Sequence, residues 1–280
     1  MVAWLFARAA GSRFVMRVED LDPAACDADV AARQLADLAA LGLDWDEPIV
    51  WQHEHRDRYA AAIASLESAG RTYPCFCTRR EVQQAALAPH GPSPEGAYPG
   101  TCRELTEAEQ AARRAGGRPA ALRLRTGGPT VAIVDRLKGE VEVVVDDLVI
   151  RRSDGVPAYN LAVVVDDAAQ QVGEVVRGDD LLLSSPRQAF LGELLGLPPV
   201  GYAHVPLVLG PAGERLAKRD GAVTLAARAA MGQPPATVRS LLATSLGLAE
   251  PGEPVDMAQL IARFDPDRLP SEPWVLSASE

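Results

Sequence analysis

No apolar run in the chain approaches the length needed to span a bilayer, and Arg8 follows Met1 too closely for a signal peptide. Those absences point to a cytoplasmic protein. Positive charge is scarce: 28 Lys and Arg face 38 Asp and Glu, a formal net charge of -10, which argues against non-specific adhesion to nucleic acid or anionic lipid. An RNA partner remains compatible through a local patch, and Arg79, Arg80, Arg103, Arg113, Arg114, Arg118, Arg123 and Arg125 supply one. Cysteine is scarce too. Cys26, Cys75, Cys77 and Cys102 are too few for a disulfide scaffold, and in a reducing compartment a metal better explains their clustering. A Walker loop, a G-x-G-x-x-G turn and a nucleophile elbow are all missing, so any phosphate chemistry is done another way. No internal repeat is present.

What is there suits a globular α/β chain: 280 residues, 48% apolar and 24% charged, enough for one large domain or two modest ones. The first residues read as the last turns of a helix stopped by Gly11. A buried strand through Phe14, Val15, Met16 and Val18 follows and ends in Glu19, Asp20 and Asp22. A strand closed by carboxylates fits a parallel sheet, where ligands sit beyond the carboxyl ends. The chain is expected to begin mid-domain. Helices are expected over Ala24 to Leu41 and Arg56 to Ala69, each ended by a glycine. Short strands follow around Val141 to Val145 and Leu148 to Arg151, with a hairpin-type turn at Asp154 and Gly155. Further strands are expected over Ala158 to Val165, Val175 to Asp180 and His204 to Leu209, a helix over Gln188 to Leu195, and helices from Leu225 onward.

Several residues carry candidate chemistry. Cys75, Cys77 and Cys102 supply three thiolates for a tetrahedral zinc that lacks one ligand, with Tyr98, His90 and Cys26 as rivals for the fourth place. Free thiols are the plainer alternative. Lys218, in a basic turn between Gly213 and Gly221, suits phosphate as a mobile point charge or is a solvated loop residue. Glu19, Asp20 and Asp22 either hold a cation or a substrate amine, or cap the next helix. Arg177 either clamps a substrate carboxylate or pairs with Asp179 or Asp180. Tyr159 reads as packing or as part of a pocket.

Taken in order, Arg17-Val18-Glu19-Asp20-Leu21-Asp22, Leu41 to Asp46, Tyr73-Pro74-Cys75-Phe76-Cys77-Thr78, Ser153 to Tyr159, Val165-Asp166-Asp167 and Arg177-Gly178-Asp179-Asp180 resemble the catalytic half of class I glutamyl-tRNA synthetases. Within them the chain is most similar to the short glutamyl-Q tRNA(Asp) synthetase paralogs, because Tyr159 to Asp167 fits those better and the chain closes near residue 280 without room for an anticodon-binding domain. The resemblance implies a Rossmann-like class I aminoacyl-tRNA synthetase catalytic domain in two parts, residues 1–72 and 129–210. It also implies a zinc-bearing insertion over 73–128 and a KMSKS-type loop with a helical stem over 211–280. It implies ATP-dependent activation of L-glutamate, with Mg2+, and transfer of the glutamyl group to queuosine in tRNA(Asp), by a cytoplasmic monomer. Glu19 would bind the glutamate ammonium and Arg177 its side-chain carboxylate, with Tyr159 completing the pocket. Lys218 would act on the phosphates, and Cys75, Cys77, Tyr98 and Cys102 would hold one structural zinc. The family's first strand and HIGH-type motif would precede residue 1, so little glutamate-dependent pyrophosphate exchange is expected of the chain as written. Two other readings are a truncated RNA-binding remnant and a fragment that charges an acceptor end.

Overall fold

Strands that end in carboxylates and helices stopped by glycine recur in the computed structural model, which describes residues 1–22, 26–86, 98–210, 212–214 and 224–276. The first part runs α1 (Val2–Ala9), β1 (Arg17–Val18), α2 (Ala28–Ala40), β2 (Val50–Trp51), a 3-10 turn at Gln52–His55, α3 (Arg56–Ser68) and β3 (Thr72–Cys75). Next come α4 (Arg79–Ala86), α5 (Glu107–Ala115), β4 (Ala121–Leu124), β5 (Thr130–Asp135), β6 (Gly139–Val144) and β7 (Val149–Arg151). The rest comprises α6 (Tyr159–Ala169), β8 (Glu174–Gly178), α7 (Ser185–Leu194), β9 (Gly201–Val205), β10 (Val208–Leu209), α8 (Leu225–Ala230), α9 (Pro235–Ser245), α10 (Met257–Arg263) and β11 (Trp274–Val275).

The strands form mixed sheets. In the largest, ordered β6-β5-β9-β8, β5 and β6 make an antiparallel hairpin while β9 runs parallel to both β5 and β8. Strand β1 pairs in parallel with β2, and β10 with β11. Glu19 leaves the carboxyl end of β1 and Arg177 lies at the carboxyl end of β8, and both line a groove of about 860 Å3 bordered by residues of the two strands. A fourth sheet among the described residues, β3-β4-β7, is antiparallel and carries Cys75; Pro74 is tolerated there because β3 is its edge.

Three apolar clusters hold these layers. The main one packs Tyr59, Ile63 and Leu66 of α3 against Leu161 and Val165 of α6, with Leu124, Ile150 and Leu191. A second joins α1 to the C-terminal helices through Trp4, Leu5, Leu43, Ala243, Val255 and Leu260. Gly42 belongs to this joint: its φ is +90°, and a Cβ there would lie 2.8 Å from Met257 Cγ. The third surrounds the cysteines with Tyr73, Phe76 and Tyr98. No helix among the described residues is long and apolar enough to cross a membrane.

The structure departs from the sequence reading in several places. Residues 158–165 are not a strand but the start of α6: Leu161, Ala162, Val165 and Asp166 are buried at helical spacing between α3 and α7, and tertiary burial outweighs the β propensity of three consecutive valines. The expected strand before Glu19 is laddered only at Arg17 and Val18, because the Phe14 N–H donates to the Asp46 carboxylate instead of to a neighbouring strand. Strand β5 was not foreseen, and the sheet around Cys75 takes β7 from beyond the expected limit of the insertion.

Candidate active site and metal centre

Glu19 is the one carboxylate of the β1 terminus that the described contacts leave turned toward open space. Asp20 receives the backbone N–H of His53 at 2.9 Å and meets its imidazole, and Asp22 receives Arg152 at 2.6 Å. Glu19 is 44% exposed at its side chain and is approached by Arg17 Nη2 at 3.6 Å. Arg17 is itself fixed by α6, donating Nη1 to Asp167 at 2.9 Å and to Gln170 at 2.8 Å. Behind it, buried Asp166 accepts from Tyr59 Oη at 2.8 Å and Gln52 Nε2 at 2.7 Å. Burial pushes the Asp167 carboxyl up, with Arg17 opposing.

Arg177 does not pair with Asp179, which holds Lys138 at 3.0 Å. Its Nη2 donates to Ser185 Oγ at 2.7 Å and Gln188 Oε1 at 2.8 Å, and its Nε to His204 Nε2 at 3.1 Å. Tyr159 opens α6 between the two charged groups. Its phenol pKa is raised by burial and then by the Glu19 carboxylate, with the Arg177 guanidinium pulling the other way. Glu19, Tyr159 and Arg177 all line the groove between β1 and β8; Glu19 and Tyr159 also border a second cavity of about 1110 Å3 that reaches Cys75 and Cys77. The three residues singled out from the sequence thus come together, while Lys218 and His90 lie outside the described residues.

Cys75, Cys77 and Cys102 also converge, their sulfurs all within 4.8 Å of one another. Tyr98 Oη lies 3.4 Å from Cys75 Sγ and 3.9 Å from Cys77 Sγ, and Cys77 Sγ lies 3.6 Å from Cys102 Sγ. A tetrahedral zinc with bonds of about 2.3 Å needs sulfurs about 3.8 Å apart, so this donor set fits one. The Cys77 thiol is pushed up to about 12 by burial and then by the adjacent Cys102, a cost that a divalent cation at the centre would reverse. Cys26 stays apart, donating to the Glu19 carbonyl at 3.6 Å.

Much of the arginine-rich stretch is spent on holding this segment in place. Arg103 pairs with Asp147 at 2.6 Å, Arg118 with Glu81 at 2.9 Å and Arg125 with Glu104 at 2.9 Å, while the Arg123 guanidinium stacks 3.6 Å above the Tyr98 ring. The sequence reading missed Arg17, Asp135, Ser185, Gln188 and His204. The one signal for them was polar residues set in apolar strands and at a helix start.

The family model of class I tRNA synthetases (E and Q), catalytic domain, matches residues 1–280. A Nocardia farcinica protein named glutamyl-Q tRNA(Asp) synthetase is 62% identical over 277 residues, covering 99% of this chain and 86% of the relative. A protein of that name from Symbiobacterium thermophilum is 47% identical over 285 residues, covering 98% of this chain and 88% of its own. The solved structure of a glutamate tRNA ligase from Elizabethkingia meningosepticum in complex with its amino acid superposes with a TM-score of 0.80 at 24% identity over 99% of this chain, which spans 63% of that ligase. The chain belongs to the class I tRNA synthetases of the E and Q type and contains their catalytic domain.

Proposed function

We propose that the protein activates L-glutamate with ATP and transfers the glutamyl group to queuosine in tRNA(Asp). The observation that supports this reading best is the spacing of charge around one groove: a carboxylate at Glu19, a guanidinium at Arg177 and a phenol at Tyr159 between them. Glu19 receives the substrate ammonium. Arg177, already held from behind, presents its guanidinium to the side-chain carboxylate. The α-carboxylate so oriented attacks the α-phosphorus of ATP; a P–O bond forms, the bond to the bridging oxygen breaks, and pyrophosphate leaves with that electron pair. Lys218 is assigned to the departing phosphates, where a preorganised contact contributes about 3 kcal/mol to the transition state. A queuosine hydroxyl then attacks the acyl carbon and AMP leaves. The relatives carrying the glutamyl-Q name favour the modified base over an acceptor end as the target.

Cys75, Cys77, Tyr98 and Cys102 would hold zinc in a structural role, tying β3 to the turn before α5. The direct test mixes the protein, in excess, with ATP and labelled glutamate and with tRNA(Asp) bearing queuosine, tRNA(Asp) without it, or tRNA(Glu). Label confined to the queuosine-bearing tRNA is the expected result. Label on the acceptor end of tRNA(Glu) would replace this reading with acceptor-end charging.

A further inference from the structure

Behind Arg177 lies a buried chain of hydrogen bonds that the reaction above does not use. It starts at Asp135, 1% exposed at the end of β5, and passes to His204, 0% exposed on β9. Asp135 Oδ1 accepts backbone N–H groups from Leu137 at 3.0 Å, Lys138 at 2.9 Å and His204 at 3.3 Å, and its Oδ2 lies 2.6 Å from His204 Nδ1. Those bonds outweigh burial and hold the carboxyl below its ordinary range. An ionised carboxylate can only accept, so the imidazole proton sits on Nδ1 and Nε2 offers a lone pair.

That lone pair faces Arg177. Arg177 Nε donates to it at 3.1 Å, and Ser185 Oγ lies 3.2 Å from it while accepting Arg177 Nη2 at 2.7 Å. Nη2 also donates to Gln188 Oε1 at 2.8 Å and to the Leu181 carbonyl at 3.4 Å, and Gln188 is aimed by its own donation to Asn160 Oδ1 at 3.0 Å. A buried acid and imidazole in place of two apolar side chains carry a desolvation cost, and among the described residues the groove-lining side chain that their bonds reach is Arg177.

We propose that Asp135 and His204 are positioning residues for substrate selection. Asp135 fixes the Nδ1–H tautomer of His204, and Nε2 of that tautomer fixes the plane of the Arg177 guanidinium, so that the groove favours a side-chain carboxylate over an amide. Protonated or oppositely tautomeric His204 would set N–H against N–H and release the guanidinium. The inference rests on Arg177 being the ligand of the glutamate side chain.

Calorimetric titration of the full chain with L-glutamate and with L-glutamine tests it. His204→Leu is expected to weaken glutamate binding roughly tenfold and to narrow the preference over glutamine, because one directional bond to the cation is lost. His204→Gln, whose amide oxygen reaches the place of Nε2, restores most of both. Asp135→Asn behaves like His204→Leu, because its amide N–H forces the other tautomer. ATP binding is unchanged in all three. Should the variants fail to fold, the imidazole 15N shifts of the unmodified protein decide: protonated Nδ1 upholds the proposal and protonated Nε2 overturns it. Folded His204→Leu and Asp135→Asn proteins that keep the parental preference overturn it as well. The control is Arg177→Lys: if it leaves glutamate binding intact, the assignment of Arg177 itself has failed, an outcome separate from failure of the positioning pair.

Discussion

At the scale of single residues, the site is governed by which charges are already satisfied. Asp20 accepts the His53 backbone N–H and Asp22 pairs with Arg152, which leaves the more exposed Glu19 to meet a substrate cation. Glu19→Gln is therefore expected to weaken L-glutamate binding roughly tenfold, read by calorimetry, with little change in melting temperature because the side chain is exposed. Asp147 is the opposite case. Fully buried, it accepts from Arg103 at 2.6 Å, Tyr73 at 2.5 Å and the Thr126 N–H at 2.9 Å, and those bonds overcome burial to hold its carboxyl below the ordinary range. A folded-state pKa below the unfolded one contributes stability that is present above about pH 4 and lost as the pH falls through the folded value. Asp167 has the reverse sign: its raised folded pKa subtracts stability near neutrality, and that penalty disappears on acidification. Urea midpoints of Asp147→Asn are accordingly expected to lie well below the parent at neutral pH and to approach it in acid. A constant difference across the pH range would contradict the linkage.

At the scale of elements, caps and closures decide whether the cysteine segment is ordered. Helix α5 begins with a full capping box, the Thr106 side chain accepting the Glu109 N–H while Glu109 reaches back to the Thr106 N–H. Thr106→Ala is expected to cost about 1 kcal/mol by urea denaturation and, in protein loaded with zinc, to increase the rate of metal loss to a chelator, because α5 begins shortly after Cys102. These features were only partly legible in the sequence. The cysteines could be singled out because the pair at Cys75 and Cys77 is followed by Cys102 in one segment, though spacing alone left free thiols open and the family resemblance supplied the choice. Helix α2 was readable from its apolar period, although it starts at Ala28 and not at Ala24, with Asp27 as its cap in place of the expected Glu19, Asp20 or Asp22. Helix α6 was not, because three successive valines carry no period of their own; only the partners on α3 and α7 show that residues 161, 162, 165 and 166 form a face. The same limit hid the Asp135 and His204 pair, whose members are 69 positions apart and meet only through the β5 and β9 pairing.

At the scale of the molecule, the first helix is packed against the last ones. Trp4 and Leu5 share a cluster with Ala243, Val255 and Leu260, Phe6 meets Phe264 edge to face at 5.2 Å, and Arg239 donates to the Leu41 carbonyl at 3.3 Å. Helix α1 also supplies Phe6 and Ala7 to the lining of the groove where Arg177 lies, so this remote joint borders the site. Leu260 is fully buried at its centre. Leu260→Ala removes methyl groups from a packed interior and is expected to destabilise the joint by about 2–5 kcal/mol. The loss is expected to be local, since the cysteine cluster and the α3–α6 core are separate groups of contacts. Hydrogen exchange should then accelerate together in α1, α9 and α10, with β3 and β4 keeping their protection. Glutamate affinity should fall modestly, because one wall of the groove has loosened while Glu19, Tyr159 and Arg177 remain on other elements. Uniform loss of protection across all three clusters would instead make the chain a single cooperative unit, in which the stem and the site cannot be uncoupled.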